Sequence, residues 1–510
     1  MITRRSFVLG AAAFPTIVHG ASVDSLRAVD TTGGRLRGSV EGGLQVFRGI
    51  RYATGERFRA PVPPKPLTQI VDALNFGPSA PQKNDKYKPQ SEDCLFLNLW
   101  TPEARRGANL PVMVYIHGGA YSNGSVVDPL NDGRHLAAHG VVAVTVNHRL
   151  NALGYLYLAR LDPRFPDSGN AGQLDLILAL KWIRDNIGNF GGDPSRVMVF
   201  GQSGGGAKIA TLMGMPTATR LFDRAITMSG QQVTASGPLH ATERARAYLA
   251  KLKASPADLL QMPIEKLVDA LDATDPVMGG IVYFGPVLDM RWLTRHPFWP
   301  DANPQSNGIP MILGNTHDET RAFIPRERMA GLTWDNLAER MAPELKVDIL
   351  PEWVASQYRR MFPAYTPEQV FYAATTAGRS WRGQVEEAEA RAKANAPTWV
   401  YQVDFVSRTE PWRGAPHTMD IALSFGTLDA PGSFTGTGPA ARAASDAMMR
   451  SFIAFTATGN PNHPGLPEWP MYRLARRSTM IFDAPPHTEN DPRREQRELF
   501  ARVPYIQPGA

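Results

Sequence analysis

A tight glycine turn around Ser203 constrains this chain more than any other feature of its sequence. The segment 201–205 reads Gly-Gln-Ser-Gly-Gly and directly follows the apolar run 197–200, Val-Met-Val-Phe. Residues 207–213 have the composition of a helix. A strand, a turn without bulky side chains and an immediate helix hold a serine hydroxyl clear of the backbone, as a nucleophile requires. The segment therefore predicts a nucleophilic Ser203, with a turn that only packs as the alternative.

The order of apolar segments predicts the fold class. Apolar β runs alternate with helical segments, which is typical of an α/β fold whose mainly parallel sheet carries helices on both faces. The segment 173–190 is apolar around most of its circumference, so it is expected to be a deeply buried helix. Residues 36–52 are expected to form short hairpin strands joined by Gly42 and Gly43. The predicted strands of the main sheet are 111–116, 141–146, 196–200, 225–228, 310–313 and 399–405.

Two segments interrupt this alternation. Residues 60–91 are rich in Pro and Lys, and residues 237–275 form a series of helical segments without a strand between them. Both are expected to be insertions or cap elements over an edge of the sheet.

The candidate catalytic residues lie between His117 and His417 and can meet only within one fold. We therefore expect residues 22–510 to form a single domain.

The first 21 residues have the composition of an export signal. Arg4 and Arg5 precede a short apolar stretch that ends in Gly20 and Ala21. Adjacent arginines before Phe7 resemble the twin-arginine type of signal, which implies a periplasmic or secreted protein. An N-terminal helix of the mature fold is the alternative. No later apolar run reaches the length of a membrane span, so no stable membrane anchor is expected.

Composition and motifs narrow the possible partners. With 43% hydrophobic and 20% charged residues the chain is an ordinary globular protein. A net charge of +6, without a basic block beside aromatic residues, argues against a nucleic-acid partner.

Cys94 is the only cysteine and lies in an apolar run, which predicts a buried, inert thiol and excludes a disulfide within the chain. Without an HExxH or CxxC motif, neither a metal nor an organic cofactor is expected.

A serine nucleophile needs an imidazole base and a carboxylate that orients it. In a fold with this type of turn the order along the chain is Ser, acid, His. His417 follows the predicted strand 399–405, and loops at the carboxyl ends of strands present reactive groups in α/β sheets. The later His463 and His487 lie among Asn, Pro and Gly residues typical of exposed loops. His417 is therefore the predicted base, with a surface histidine in a turn as the alternative.

The acid is ambiguous at the level of the residues. Asp318 and Glu319 are neighbours just after the predicted strand 310–313. Spacing cannot choose between them, and two adjacent acids are also typical of a solvated turn.

The loop after the strand 111–116 predicts an oxyanion hole. Residues 117–121 read His-Gly-Gly-Ala-Tyr. Ester cleavage passes through an oxyanion that needs preorganised N–H donors, and bare glycines let backbone amides face it. The predicted donors are Gly118 and Gly119 with the amide of Gly204. His117 precedes the nucleophile by a whole βαβ unit, so it is expected to brace the loop.

Together these motifs resemble the type-B carboxylesterases, a branch of the α/β-hydrolase superfamily that includes bacterial para-nitrobenzyl esterases, cholinesterases and the non-catalytic neuroligins. The resemblance covers nearly all of the chain after the signal. It implies an α/β-hydrolase fold, with a large, mainly parallel mixed sheet, helices on both faces and helical cap insertions. The segments that carry it are 47–53, 91–98, 117–120, 147–150, 169–175, 190–194 and 201–205.

The resemblance also assigns residues. It implies a triad of Ser203, Glu319 and His417, and so favours Glu319 over Asp318. Ser229 matches a serine that supports the acid and base in this family, with an ordinary strand-end hydroxyl as the alternative. Gln202 stands next to the nucleophile where many relatives have Glu. By the same resemblance Arg149 and Asp175 form a structural buried ion pair.

The implied function is that of a serine carboxylic-ester hydrolase, working through an acyl-enzyme on small to medium uncharged esters. Gln202 removes a negative charge beside the nucleophile, and residues 80–91 lack the tryptophan and the cysteine-closed loop of cholinesterases, so a preference for cationic substrates is not expected. The alternatives are hydrolysis of amides, carbamates or thioesters on the same triad, and an adhesion module of the neuroligin kind. A monomer or a dimer is expected, without a basis for choosing between them.

Overall fold

The computed structural model describes residues 28–83, 85–507 and 509, and in them strands and helices alternate as the apolar pattern predicts. The expected export signal at 1–21 lies outside the described residues, and the domain boundary at residue 22 stays a prediction. The strands are β1 (Ala28–Thr31), β2 (Gly34–Arg37), β3 (Ser39–Glu41), β4 (Leu44–Arg51), β5 (Val71–Asp72), β6 (Phe96–Thr101), β7 (Leu110–Ile116), β8 (Val142–Val146), β9 (Gly192–Gln202), β10 (Arg224–Met228), β11 (Met311–Thr316), β12 (Thr398–Val403), β13 (Ser478–Phe482) and β14 (His487–Asn490). The helices are α1 (Arg134–Ala138), α2 (Asn151–Tyr155), α3 (Ala171–Asn186), α4 (Gly204–Gly214), α5 (Pro238–Leu252), α6 (Ile264–Asp269), α7 (Leu337–Leu345), α8 (Pro351–Met361), α9 (Pro367–Thr376), α10 (Arg382–Lys393), α11 (Met419–Phe425), α12 (Pro439–Thr458) and α13 (Arg494–Phe500).

The main sheet has eleven strands among the described residues, in the order β14-β13-β12-β11-β10-β9-β7-β8-β6-β4-β3. The run from β13 to β8 is parallel, and the strands at both edges pair antiparallel. Strand β7 lies between β8 and β9, so the direction of winding reverses there. Such a reversal leaves a crevice at the carboxyl ends of the strands, where α/β sheets bind ligands.

The two faces of the sheet have separate cores because side chains alternate along each strand. On β7, Val112 and Val114 face the cluster that contains helices α3 and α4. Met113 and Tyr115 point the other way, into the cluster formed with α11 and α12. Fully buried Cys94 belongs to the first core, and burial raises the pKa of its thiol. The expectation of an α/β-hydrolase fold with helices on both faces is confirmed.

The predicted elements differ from the observed ones mainly in their bounds. The predicted strand 196–200 is the end of the longer β9, and the predicted helix 173–190 is α3 followed by a 3-10 turn at Ile187–Phe190. The hairpin at Gly42 and Gly43 joins β3 to β4. The segment 237–275 contains α5 and α6, whereas 60–91 is irregular apart from the two-residue strand β5, which pairs with β2.

The predicted ion pair between Arg149 and Asp175 links the loop after β8 to helix α3. Asp175 is fully buried and accepts hydrogen bonds from the backbone N–H of Arg149 at 3.0 Å and from its Nη2 at 2.5 Å. The guanidinium also donates to the carbonyl oxygens of Glu56 and Ala171. The pair therefore joins several loops beneath the carboxyl ends of the strands.

Candidate active site

Ser203 lies in the turn between β9 and α4 with a strained backbone. Its φ is 56° and its ψ −128°, values that non-glycine residues rarely adopt. The Ser203 N–H donates to the carbonyl oxygen of Met228 at 2.7 Å, which fixes the turn against strand β10. Neighbouring glycines allow the turn to lie this close to the segment after β10, since a Cβ on Gly230 would lie 1.9 Å from the carbonyl oxygen of Ser203. The turn has the geometry that the sequence predicts.

Glu319 and His417 meet as a buried pair beside this turn. Glu319 follows β11 and His417 precedes α11, and His417 Nδ1 is hydrogen-bonded to Glu319 Oε2. The other carboxylate oxygen, Oε1, accepts from the backbone N–H of Thr316 at 2.9 Å and from Nδ2 of Asn315 at 3.2 Å. Burial raises the pKa of the Glu319 carboxyl, but the charge and hydrogen bond of His417, with smaller contributions from Ser229 and the backbone N–H of Thr316, outweigh it and leave the pKa lowered.

The neighbouring Asp318 does not contact the imidazole of His417. Its Oδ2 accepts from the backbone N–H of Ala415 at 3.0 Å and lies 3.2 Å from Nδ1 of His317. The backbone N–H of Asp318 in turn donates to the carbonyl oxygen of Ala415 at 2.9 Å. Asp318 thus fastens the loop that carries His417, while Glu319 orients the ring.

Gln202 lies against the other side of the His417 ring. Its Nε2 is 3.1 Å from Nε2 of His417 and can donate to that nitrogen when it is unprotonated. Among the hydrogen bonds of the described residues, none joins the Ser203 hydroxyl to His417. The two side chains do share one cavity, with a volume of about 170 Å³.

Polar, aromatic and small side chains together line this Ser203 cavity. Ser229, predicted to support the acid and base, also borders it. Its hydroxyl helps to lower the pKa of Glu319, although its buried Oγ makes no well-formed hydrogen bond to a described residue. The lining residues are Ala120, Tyr121, Ser203, Gly204, Ala207, Ser229, Gly230, Gln231, Gln232, Tyr283, Phe323, Arg379, Ser380, His417, Tyr505 and Gln507.

The predicted oxyanion donors are divided between two cavities. Gly204 borders the Ser203 cavity together with Ala120, and a Cβ on Gly204 would lie 2.7 Å from the amide nitrogen of Ala120. Gly118 and Gly119 instead border a second cavity of about 320 Å³, on the side of Gln202. The sequence analysis missed Ala120, which has a φ of 48° and follows Gly119 in the same turn.

A buried polar cluster lies beneath the glycine loop and was not foreseen. Lys208 on α4 is fully buried and donates from Nζ to the carbonyl oxygen of His117 at 3.1 Å. The ring of His117 stacks on that of His148 with centroids 4.5 Å apart. Burial lowers the pKa of the Lys208 ammonium to about 7. The cluster ties the helix after Ser203 to the glycine loop, consistent with the predicted bracing role of His117.

In residues 28–83 and 85–507, no cluster of three or more His, Cys, Asp or Glu side chains is placed to bind a metal ion. Over the same part of the chain, every helix is too short or too polar to span a membrane.

Comparison with known proteins gives a consistent result. The model of the carboxylesterase family matches residues 25–500. The chain is 34% identical to a para-nitrobenzyl esterase of Bacillus subtilis (strain 168), over 92% of this chain and 97% of the relative. It is 31% identical to a fumonisin B1 esterase of Sphingopyxis macrogoltabida, over 93% and 89% of the two chains. A crystal structure of a Geobacillus stearothermophilus carboxylesterase superposes with a TM-score of 0.83 at 34% identity, covering 93% of this chain and 99% of that one.

Proposed function

The chain belongs to the carboxylesterase family and is a carboxylic ester hydrolase, and we propose that it cleaves esters with Ser203 as nucleophile, His417 as base and Glu319 as the acid that orients the base. The observation that carries this proposal is the buried contact of Glu319 with Nδ1 of His417, beside a cavity that Ser203 shares. A carboxylate on Nδ1 leaves Nε2 as the nitrogen that takes the serine proton.

The proposed reaction has two acyl-transfer steps. His417 Nε2 takes the proton of Ser203 as Oγ attacks the ester carbonyl, and the imidazolium then protonates the departing alcohol. Water enters by the same route and releases the acid from the acyl-enzyme. Catalytic hydrogen bonds often tighten only once substrate binds. The proposal therefore includes rotation of the Ser203 hydroxyl toward Nε2 of His417, in place of the Gln202 amide that lies 3.1 Å from that nitrogen.

We place the oxyanion hole at the amides of Gly204 and Ala120. Both residues border the Ser203 cavity and their backbones touch. The bare backbones of Gly118 and Gly119 let the loop turn so that Ala120 reaches this position, and Gly119 has a φ of 91°. Each donor to a developing oxyanion is worth roughly 10²–10³-fold in kcat.

The substrates are proposed to be small to medium esters without positive charge. The Ser203 cavity has a volume of about 170 Å³, and Gln202 provides no anion beside the nucleophile. We also propose that the chain is exported to the periplasm or beyond, on the basis of Arg4, Arg5 and the apolar stretch after them.

Replacement of the nucleophile tests the proposal. The variant Ser203→Ala is expected to lose on the order of 10⁶-fold in kcat with p-nitrophenyl acetate, because it removes the Oγ that forms the acyl-enzyme in the proposed mechanism. A fluorophosphonate probe should label the unsubstituted enzyme once and leave Ser203→Ala unlabelled in intact-mass measurements.

The matched control is Ser356→Ala, which removes an exposed hydroxyl on α8. This variant should keep both hydrolysis and labelling. Near-native turnover by Ser203→Ala, or labelling that persists in it, would refute the assignment of the nucleophile.

A further inference from the structure

An arginine enters the Ser203 cavity from an irregular turn between two helices. Arg379 lies in the segment Ala377–Trp381, which has π-helical hydrogen bonding and joins α9 to α10. Single π turns inside helices are frequent at functional sites. The guanidinium carbon lies 4.7 Å from the ring centroid of Phe323, whose ring is in turn 4.7 Å from that of His417. A positive charge is therefore held one aromatic ring away from the proposed base.

The charge of Arg379 is only weakly compensated within the protein. Its nearest carboxylate oxygen is Oε2 of Glu344, at 3.9 Å from Nη1. The other oxygen of Glu344 accepts from Arg328 at 2.8 Å, so this carboxylate is already shared. The Arg379 guanidinium makes no hydrogen bond to the side chains or carbonyls of the described residues, and 32% of the side chain is exposed.

Burial lowers the pKa of Arg379, opposed by the charges of Glu344 and Glu319, but a guanidinium remains protonated at any physiological pH. A partly buried guanidinium with its donors open favours a planar oxyanion that can accept two hydrogen bonds at once.

The rest of the cavity suits such a group. Its described lining contains no Asp or Glu, so nothing on its wall repels an anion. Amide and hydroxyl groups border it instead, from Gln231, Gln507, Ser380 and Tyr505. Glu319 is fully buried and does not border the cavity, and its oxygens are hydrogen-bonded to His417, Thr316 and Asn315.

We propose that Arg379 binds a carboxylate carried by the substrate, so that the preferred esters are half-esters of dicarboxylic acids or esters of hydroxy acids. This inference rests on the proposed function, and it replaces the expectation of an uncharged substrate with that of an anionic one. The shared chemistry is a free carboxylate within the same molecule as the scissile ester, on either its acyl or its alcohol part.

Paired esters that differ only in that charge test the proposal. In the acyl arm, mono-p-nitrophenyl adipate is compared with methyl p-nitrophenyl adipate. In the alcohol arm, 4-acetoxybenzoate is compared with its methyl ester. For at least one pair, the unsubstituted enzyme should have the higher kcat/KM for the anionic member, and the arm concerned shows which part of the substrate carries the carboxylate.

The variant Arg379→Gln should lower that anionic-to-neutral ratio of kcat/KM by about 10- to 100-fold, the range for a charge-assisted hydrogen bond. Arg379→Lys keeps the charge without the planar fork and should lie between the two. Arg360→Gln is the matched control, because it removes the same charge from an exposed site on α8 and should leave the ratio unchanged.

Several results would overturn the proposal. One is a ratio below one in both arms for the unsubstituted enzyme, which needs no variant to fold. Another is an Arg379→Gln variant that slows both members of each pair equally, as a merely structural residue would. If instead the unsubstituted enzyme cleaves none of the four esters, the proposed function itself is in error.

Discussion

Positive φ angles between 48° and 76° occur at non-glycine residues around the proposed site, namely Ala120, Tyr121, Ser203, Ser229 and Thr418. Each such residue costs on the order of 1–3 kcal/mol and persists only where its surroundings hold it. Backbone hydrogen bonds do so here, for example from Ser229 N–H to the carbonyl oxygen of Gly314 at 2.7 Å. These hydrogen bonds hold Ser203 and the proposed oxyanion loop in place before substrate binds.

The two adjacent acids should respond differently to loss of charge. Glu319→Gln is expected to lower kcat by about 10⁴-fold, because an amide on Nδ1 no longer holds the tautomer or the charged ring of His417. Asp318→Asn should lower kcat by about tenfold at most, since Asp318 contacts the loop and not the imidazole. Steady-state kinetics with p-nitrophenyl acetate measures both.

Each acid variant serves as the control of the other, because both remove one carboxylate from the same turn. Equal losses, or a greater loss in Asp318→Asn, would contradict the assignment of Glu319.

At the scale of elements, the contact of the β9–α4 turn with strand β7 leaves no room for a side chain at Gly205. A Cβ there would lie 2.0 Å from the carbonyl oxygen of Ile116. Gly205→Ala should therefore lower the free energy of unfolding by about 3 kcal/mol or more, because backbone must move. Urea unfolding followed by circular dichroism measures the change.

Gly188→Ala provides the comparison within the same βαβ region. Gly188 lies in the turn Ile187–Phe190, and a Cβ there meets nothing within 4 Å. This variant should change the free energy of unfolding by at most about 1 kcal/mol, in the stabilising direction. Similar unfolding midpoints for the two variants would show that the turn is not tightly packed.

The local sequence pattern predicts those strands and helices in which apolar side chains recur with a regular period. β9 and α3 could be found because their apolar periods are long and their ends carry turn residues. The order of the strands could not, since it depends on pairing between distant segments. Nor could the π turn that contains Arg379, because residues 377–381 carry no pattern that distinguishes π-helical from α-helical hydrogen bonding.

More of the candidate site than of the strand order could be predicted from the sequence. Ser203 and His417 followed from turn chemistry and chain order, whereas the choice of Glu319 needed the family resemblance. The amides of residues 118–120 could not be told apart, because the direction of each N–H depends on the φ angles of the turn. Lys208 gave no signal, because a lysine in a helix is ordinarily solvated.

At the scale of the whole molecule, the reversal of winding at β7 brings distant segments together. β7, β9, β11 and β12 end at one edge of the sheet, so the loops that carry the proposed oxyanion donors, Ser203, Glu319 and His417 meet there. Stability of the site is thus bound to the stability of the whole sheet and of the loops beneath it.

The ion pair of Arg149 and Asp175 should contribute to that stability. Arg149→Met leaves Asp175 buried without its partner and is expected to lower the free energy of unfolding by about 3–5 kcal/mol. Arg37→Ala breaks an exposed pair with Asp72 and should leave the free energy of unfolding nearly unchanged, because water screens such a pair. Urea titrations of both variants measure the difference.

Removing both charges separates the pair's attraction from the penalty of a lone buried charge. Arg149→Met combined with Asp175→Leu should recover most of the stability that Arg149→Met loses. A double variant no more stable than the single one would show that the loss comes from packing and not from the unpaired carboxylate.

The fully buried Cys94 gives the molecule a built-in reporter of its own opening. Alkylating reagents attack the thiolate, which the native interior both hides and keeps protonated. The chain has no second thiol, so each alkylated molecule is one in which Cys94 has become exposed to solvent. The rate at which iodoacetamide alkylates Cys94 over hours would therefore report how often the folded structure opens, and no engineered label is needed.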